Sequence, residues 1–174
     1  MAINSALRVL NELRTAEIVA SYAIGGAVAA FLYIESGTTF DLDVFIAWKP
    51  GPTGLLTPPP LFEELGRRGY VHYEKEAIMI EGWAVQFLPA ATPLLEEALA
   101  QAVPVEIEGV PTFVFSKEHL MAISLQTARP KDFARLVQFI QEGAPDQMQF
   151  EKILERNSLS ETWIRFKNRY LDDP

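Results

Sequence analysis

The chain contains no cysteine. Disulfides, cysteine-ligated zinc and thiol redox chemistry are therefore excluded. Histidine is scarce as well: only His72 and His119 are present, which argues against a multi-histidine metal centre. No apolar run reaches the roughly 20 residues of a membrane span, and the longest, Tyr22 to Ile34, is broken by Gly25-Gly26. The first residues, Met1 to Ser5, show no basic region leading into an apolar segment, so no secretory signal is expected. Positive charge is in short supply: 15 Lys and Arg stand against 23 Asp and Glu, a net charge of −8. Such a chain does not bind nucleic acid by bulk electrostatics, although a local basic pocket could still hold a nucleotide or an RNA end. These absences together predict a soluble cytoplasmic protein without a membrane partner.

What is present is a chain of 174 residues, 49% apolar, enough for one domain with a real core. Apolar residues at helical spacing predict a helix over residues 4–16, capped by Asn4 or Ser5. Ile18–Ile24 reads as a strand, Ala27–Glu35 as a small-residue helix closed by Ser36-Gly37, and Asp41–Trp48 as a second strand. The prolines between Lys49 and Pro60 exclude regular structure there. A helix over 61–68 precedes strands at 70–73, 77–80 and 83–88, the last two joined by a tight turn at Glu81-Gly82. Thr92 caps a helix to about Ala102, and strands at 103–107 and 111–115 flank Glu108-Gly109. From Ser116 onward the pattern is helical, with Pro130 suited to a first helical turn. The expected architecture is α+β: a mixed sheet flanked by helices over 1–115, then a helical C-terminal part over 116–174 packed on the core.

Two groups of residues carry chemical potential. Gly25-Gly26 lies between a strand and a helix, where glycine lets backbone approach an anion. Asp41 and Asp43 are two apart on the next strand, so both carboxylates point to one face. A divalent cation is one reason for such a pair, since Mg²⁺ or Mn²⁺ takes hard oxygen ligands. The other reading is a pair that caps turns or meets Arg and Lys. The second group is Arg129-Pro130-Lys131-Asp132 at a helix start. Asp132 lies beside that helix's apolar face and is expected to point inward, paired with Arg129 or Arg135. His119 reads as a cap or core-edge residue, and His72 as one facing solvent or a neighbouring strand.

The diglycine, the Thr39-Phe40-Asp41-Leu42-Asp43 run and the later Arg129-Pro130-Lys131-Asp132 together resemble the nucleotidyltransferase superfamily of DNA polymerase β-like enzymes. Within it the chain looks most like bacterial minimal nucleotidyltransferases of the abortive-infection and type IV toxin–antitoxin kind. The resemblance spans about residues 20–140. It implies Mg²⁺ or Mn²⁺ on Asp41 and Asp43, and an NTP whose phosphates meet Gly25, Gly26, Thr39 and Lys131, with Asp132 organising the pocket. It also implies transfer of a nucleoside monophosphate to a hydroxyl of a protein, RNA or small molecule, and a cognate protein partner. Three places along the chain depart from the family pattern. Gly37 stands where an Arg is usual. Ile123 and Ser124 stand where a Lys is common. Gln86, on the strand Trp83–Leu88, stands where a third carboxylate is usual, and an amide cannot take a proton. That last departure supports an alternative, a catalytically weakened nucleotide-binding or partner-binding module of a toxin–antitoxin-like system.

Overall fold

A computed structural model of the chain describes residues 3–35, 39–47 and 60–171. The Ser36-Gly37 helix stop, Trp48 and residues 49–59 of the proline-rich stretch lie outside the described residues. The elements, in chain order, are α1 (Asn4–Thr15), β1 (Tyr22–Ile24), α2 (Gly26–Ala30), β2 (Asp41–Ile46), α3 (Leu61–Arg67), β3 (Tyr73–Glu74), β4 (Ala77–Ile80), β5 (Trp83–Pro89), α4 (Pro93–Ala100), β6 (Val103–Ile107), β7 (Val110–Val114), α5 (Lys117–Thr127), α6 (Pro130–Gln141), α7 (Gln147–Arg156) and α8 (Ser160–Tyr170). The protein is α+β, and no described helix is long and apolar enough to cross a membrane.

The strands form one mixed sheet in the order β3-β4-β5-β2-β1-β7-β6. β2 is central and runs parallel to β5 and antiparallel to β1. Its sequence alternates, and so does its burial: Leu42, Val44 and Ile46 are fully buried, while Asp41, Asp43 and Phe45 are not. Two-residue periodicity thus divides the strand into a core face and a functional face. Helices α1 and α3 cover the core face. Tyr22 on β1 donates its hydroxyl to Asn11 of α1, and Phe62 of α3 meets Phe87 of β5 edge-on.

Both expected hairpin turns form. Glu81 and Gly82 have φ of 51° and 84°, and Glu108 and Gly109 have 48° and 76°. Two successive positive φ values match the twist of two-residue hairpins. Thr92 and Ser116 cap α4 and α5 by accepting from Leu95 N and His119 N.

Four local expectations fail, three of them because the backbone hydrogen bonds go elsewhere. The first strand begins at Tyr22, since the N–H groups of Ile18 and Val19 turn back onto Leu13 O to end α1. The strand expected at 70–73 shrinks to β3, because Tyr70 N ends α3 by donating to Leu65 O. The helix expected to reach Glu35 stops at Ala30 and continues as tight turns, with Leu32 N and Tyr33 N bonded three residues back. At the N-terminus of α1, Ile3 is the capping position and no side chain caps it; Asn4 is already helical.

Candidate functional site

β2 and β5 run parallel in a register that sets Asp41 against Ala84 and Asp43 against Gln86. Registered partners point to the same face, so Asp41, Asp43, Ala84 and Gln86 share the functional face. They form one wall of a cleft of about 550 Å³. The facing wall comes from the end of α5 and the first turns of α6: Ile123, Thr127, Arg129, Lys131, Asp132 and Arg135. Phe45, Leu88, Leu95 and Leu120 give the cleft an apolar part beside this charged one.

Gly26 lines the cleft and Gly25 does not. Gly25 is buried with its α-carbon toward aromatic rings: a Cβ there would lie 2.5 Å from Phe45 Cε2 and 3.2 Å from Phe115 Cδ2. Its lack of a side chain serves packing. Gly26 has φ of 57°, and a Cβ there would fall 1.9 Å from Asp43 Oδ2. The second glycine thus makes room for the carboxylate as well as for the turn. Thr39 also lines the cleft, and its Oγ1 accepts a hydrogen bond from Asp41 N at 3.2 Å, steadying the strand entry.

Burial pushes the Asp43 carboxyl up from its ordinary value, and the negative charge of Asp41 pushes it the same way. Lys131, Arg135 and Arg129, in that order, oppose the rise. The basic groups at the start of α6 therefore act on the Asp43 carboxylate across the cleft. Arg129 is held: its guanidinium donates to Asp132 Oδ2 at 2.6 Å and Oδ1 at 3.1 Å, while Thr127 Oγ1 donates to Oδ2 at 2.8 Å. Asp132 is buried. Burial alone would raise its pKa, but these bonds outweigh burial and hold the carboxyl below its ordinary value. Lys131 and Arg135 enter no ion pair among the described residues. They are left to face the cleft, one helical turn apart.

Two carboxylates on one face, one of them raised by burial and by the other's charge, form a set that a divalent cation would relieve. Among the described residues no group of three His, Cys, Asp or Glu side chains is placed to hold a metal. The carboxylate oxygens of Asp41 and Asp43 are hard donors of the kind that Mg²⁺ or Mn²⁺ takes, so the pair would suit such an ion.

The cleft gathers Gly26, Thr39, Asp41, Asp43, Lys131 and Asp132 from the sequence candidates and leaves out Gly25. Sequence reading underused Arg135, naming it only as a partner for Asp132. Its spacing of four from Lys131 was the available signal, because that spacing puts both on one helix face. At the same face Gln86 Nε2 donates to Glu76 Oε2 at 3.0 Å. His119 is fully buried rather than at a core edge, with Nδ1 hydrogen-bonded to Ser116 Oγ at 2.8 Å.

No protein-family model matches the chain, and no curated protein sequence matches it significantly. Solved structures do. An antigenic nucleotidyltransferase-like protein from Paracoccidioides brasiliensis superposes with a TM-score of 0.54 over 92% of this chain and 91% of its own, at 17% identity. The antibiotic-resistance factor ANT(2'')-Ia gives a TM-score of 0.49 at 15% identity, over 95% of this chain and 96% of its own. The chain thus shares its fold with a nucleotidyltransferase-like protein along nearly its whole length.

Proposed function

We propose that the cleft binds a nucleoside triphosphate with Mg²⁺ or Mn²⁺ and transfers its nucleoside monophosphate to a hydroxyl acceptor. The observation that carries this reading is the opposition of Asp41 and Asp43 to Lys131 and Arg135 across one cleft. Carboxylates suit a metal, lysine and arginine suit phosphate, and a triphosphate–metal complex needs both at once. The shared fold agrees with it.

A divalent ion held by Asp41 and Asp43 would neutralise phosphate charge and polarise the phosphorus centre. The protein's own part is to bind and orient. Lys131 and Arg135 offset the triphosphate's negative charge, and the Asp132–Arg129–Thr127 bonds fix the helix start that presents them. Gly26 leaves Asp43 and the adjoining backbone open to the cleft. The acceptor oxygen attacks the α-phosphorus, the bond from that phosphorus to the bridging oxygen breaks, and pyrophosphate leaves with the electron pair. The acceptor is a protein, RNA or small-molecule hydroxyl.

The test is incubation with α-labelled nucleoside triphosphates, Mg²⁺ or Mn²⁺, and candidate acceptors. Label transfer by the native chain, lost in the Asp41→Ala/Asp43→Ala variant, is the expected result. Transfer that survives the double substitution overturns the reading.

Gln86 favours a second reading, because the residue registered against Asp43 cannot take a proton. In this reading the chain is a nucleotide-binding or partner-binding module, as in a toxin–antitoxin-like pair. It predicts a nucleotide-dependent rise in melting temperature with no turnover.

A further inference from the structure

Gln86 is not an isolated amide. Its Nε2 donates to Glu76 Oε2 at 3.0 Å, so a carboxylate from the segment between β3 and β4 is tied to the strand position registered against Asp43. Glu76 is exposed, and it borders a second cavity of about 380 Å³ together with Asp41, Glu74, Lys75 and Gln86. This side pocket adjoins the main cleft and shares Asp41, Ala77, Ala84 and Gln86 with it. A molecule in the side pocket would border both Glu76 and Asp41, at the edge of the cleft proposed for the nucleotide.

We infer that the side pocket receives the hydroxyl acceptor, with Glu76 as the catalytic residue that takes its proton and Gln86 as the positioning residue that holds Glu76. The inference rests on the transfer reading above. Transfer to a hydroxyl releases one proton, and a carboxylate within reach of the attacking oxygen is the usual kind of group to take it. Asp41 and Asp43 would hold the cation as ionised ligands. Gln86 has no basic site. Glu76 is the carboxylate that the Gln86 amide fastens to this edge. The balanced step is attack of the acceptor oxygen on the α-phosphorus, departure of pyrophosphate with the electrons of the broken P–O bond, and passage of the hydroxyl proton to the Glu76 carboxylate and then to solvent. The side-chain amide donates one N–H to the carboxylate and so fixes its position.

The experiment measures pyrophosphate release from each of the four nucleoside triphosphates with Mg²⁺ or Mn²⁺ and glycerol as acceptor. It compares the native chain, Glu76→Gln, Glu76→Asp and the exchanged pair Glu76→Gln/Gln86→Glu. Glu76 is exposed, so the variants are expected to fold, and the melting-temperature rise with nucleotide and Mg²⁺ is read in parallel. Glu76→Gln is expected to lower kcat about 100-fold or more, with the nucleotide KM and the thermal shift unchanged. Glu76→Asp is expected to retain part of the rate, and the exchanged pair to recover about tenfold or more over Glu76→Gln, because it keeps the hydrogen bond and moves the carboxylate to position 86. Native turnover with an unimpaired Glu76→Gln variant overturns the role of Glu76 and leaves the transfer reading standing. No release by the native chain with glycerol or with protein and RNA acceptors overturns the transfer reading and the base with it. A Glu76→Gln loss that the exchange does not recover overturns the part assigned to Gln86.

Discussion

Gly26 and Asp43 share one small volume: a side chain at position 26 would begin 1.9 Å from the Asp43 Oδ2 atom. The positive φ of Gly26 adds a second constraint, since an L-residue there costs about 1–2 kcal/mol. Gly26→Ala is therefore expected to displace the Asp43 carboxylate, lower stability by about 2 kcal/mol or more, and abolish the melting shift with nucleotide and Mg²⁺. A variant that keeps both its stability and its shift would show that the glycine is dispensable.

The raised carboxyl of Asp43 makes a linked prediction about stability and binding. A carboxyl whose folded value lies above its unfolded value of 3.8 favours folding more at low pH, and this contribution is lost as pH rises through the folded value. At neutral pH the ionised Asp43 thus opposes folding. Asp43→Asn keeps the shape and removes the charge. It should stabilise the ligand-free protein on the order of 1 kcal/mol, or about 2–4 °C. The same variant should lose its response to nucleotide and Mg²⁺. In the native protein that response should weaken as pH falls toward the raised Asp43 value, where the carboxylate is protonated. Thermal melts across pH 5–8, with and without nucleotide, check all three.

The Arg129–Asp132 pair is unequal in exposure: the arginine side chain is 58% exposed and the aspartate side chain 3%. Asp132→Asn returns Arg129 to water, whereas Arg129→Ala leaves a buried carboxylate with Thr127 as its remaining side-chain donor. Arg129→Ala should therefore be the costlier change, by about 1–3 kcal/mol against less than about 1 for Asp132→Asn. Urea unfolding of both variants decides the order, and the reverse order would mean that the carboxylate is better solvated than its burial indicates.

His119 should give the protein a stability that falls on mild acidification. Burial lowers its pKa from 6.5, against the attraction of Glu97 and Glu118 and with a small assisting push from Arg156. Its Nε2 lies 3.5 Å from Glu97 Oε1, and burial outweighs the pull of that carboxylate. The unfolded chain takes up a proton as pH drops below 6.5 while the folded chain resists. Stability is then present above 6.5 and lost toward the lower folded value, at up to about 1.4 kcal/mol per pH unit. Denaturation curves at pH 7.5, 6.5 and 5.5 should show this slope, and His119→Gln should flatten it. An equal slope in the variant would assign the acid sensitivity to other groups.

The strands carried their own signature where alternation was clear. Asp41–Ile46 could be read as a two-faced strand because Leu42, Val44 and Ile46 alternate with Asp41, Asp43 and Phe45, and β2 has that burial. The two hairpins were legible from Glu81-Gly82 and Glu108-Gly109, since few sequences accept two positive φ values in succession. Segments just after helices misled. Ile18, Val19 and Tyr70 have strand-forming side chains, yet their N–H groups close the preceding helices, and local backbone bonding outweighed side-chain propensity.

For the site, residue type and spacing along the chain were enough to single out the aspartate pair, the glycine turn and the basic helix start. Each is a short-range pattern with a short-range cause: two-residue alternation on a strand, the freedom of glycine, and the first turn of a helix. Tertiary structure alone decided that Gly25 packs on Phe45 and Phe115 while Gly26 faces Asp43, that Lys131 and Arg135 confront the aspartates, and that Gln86 holds Glu76. Those relationships join residues from about ten to about a hundred positions apart. They depend on the β2–β5 register and on the seating of α5 and α6 over the sheet, which no local pattern in the chain specifies.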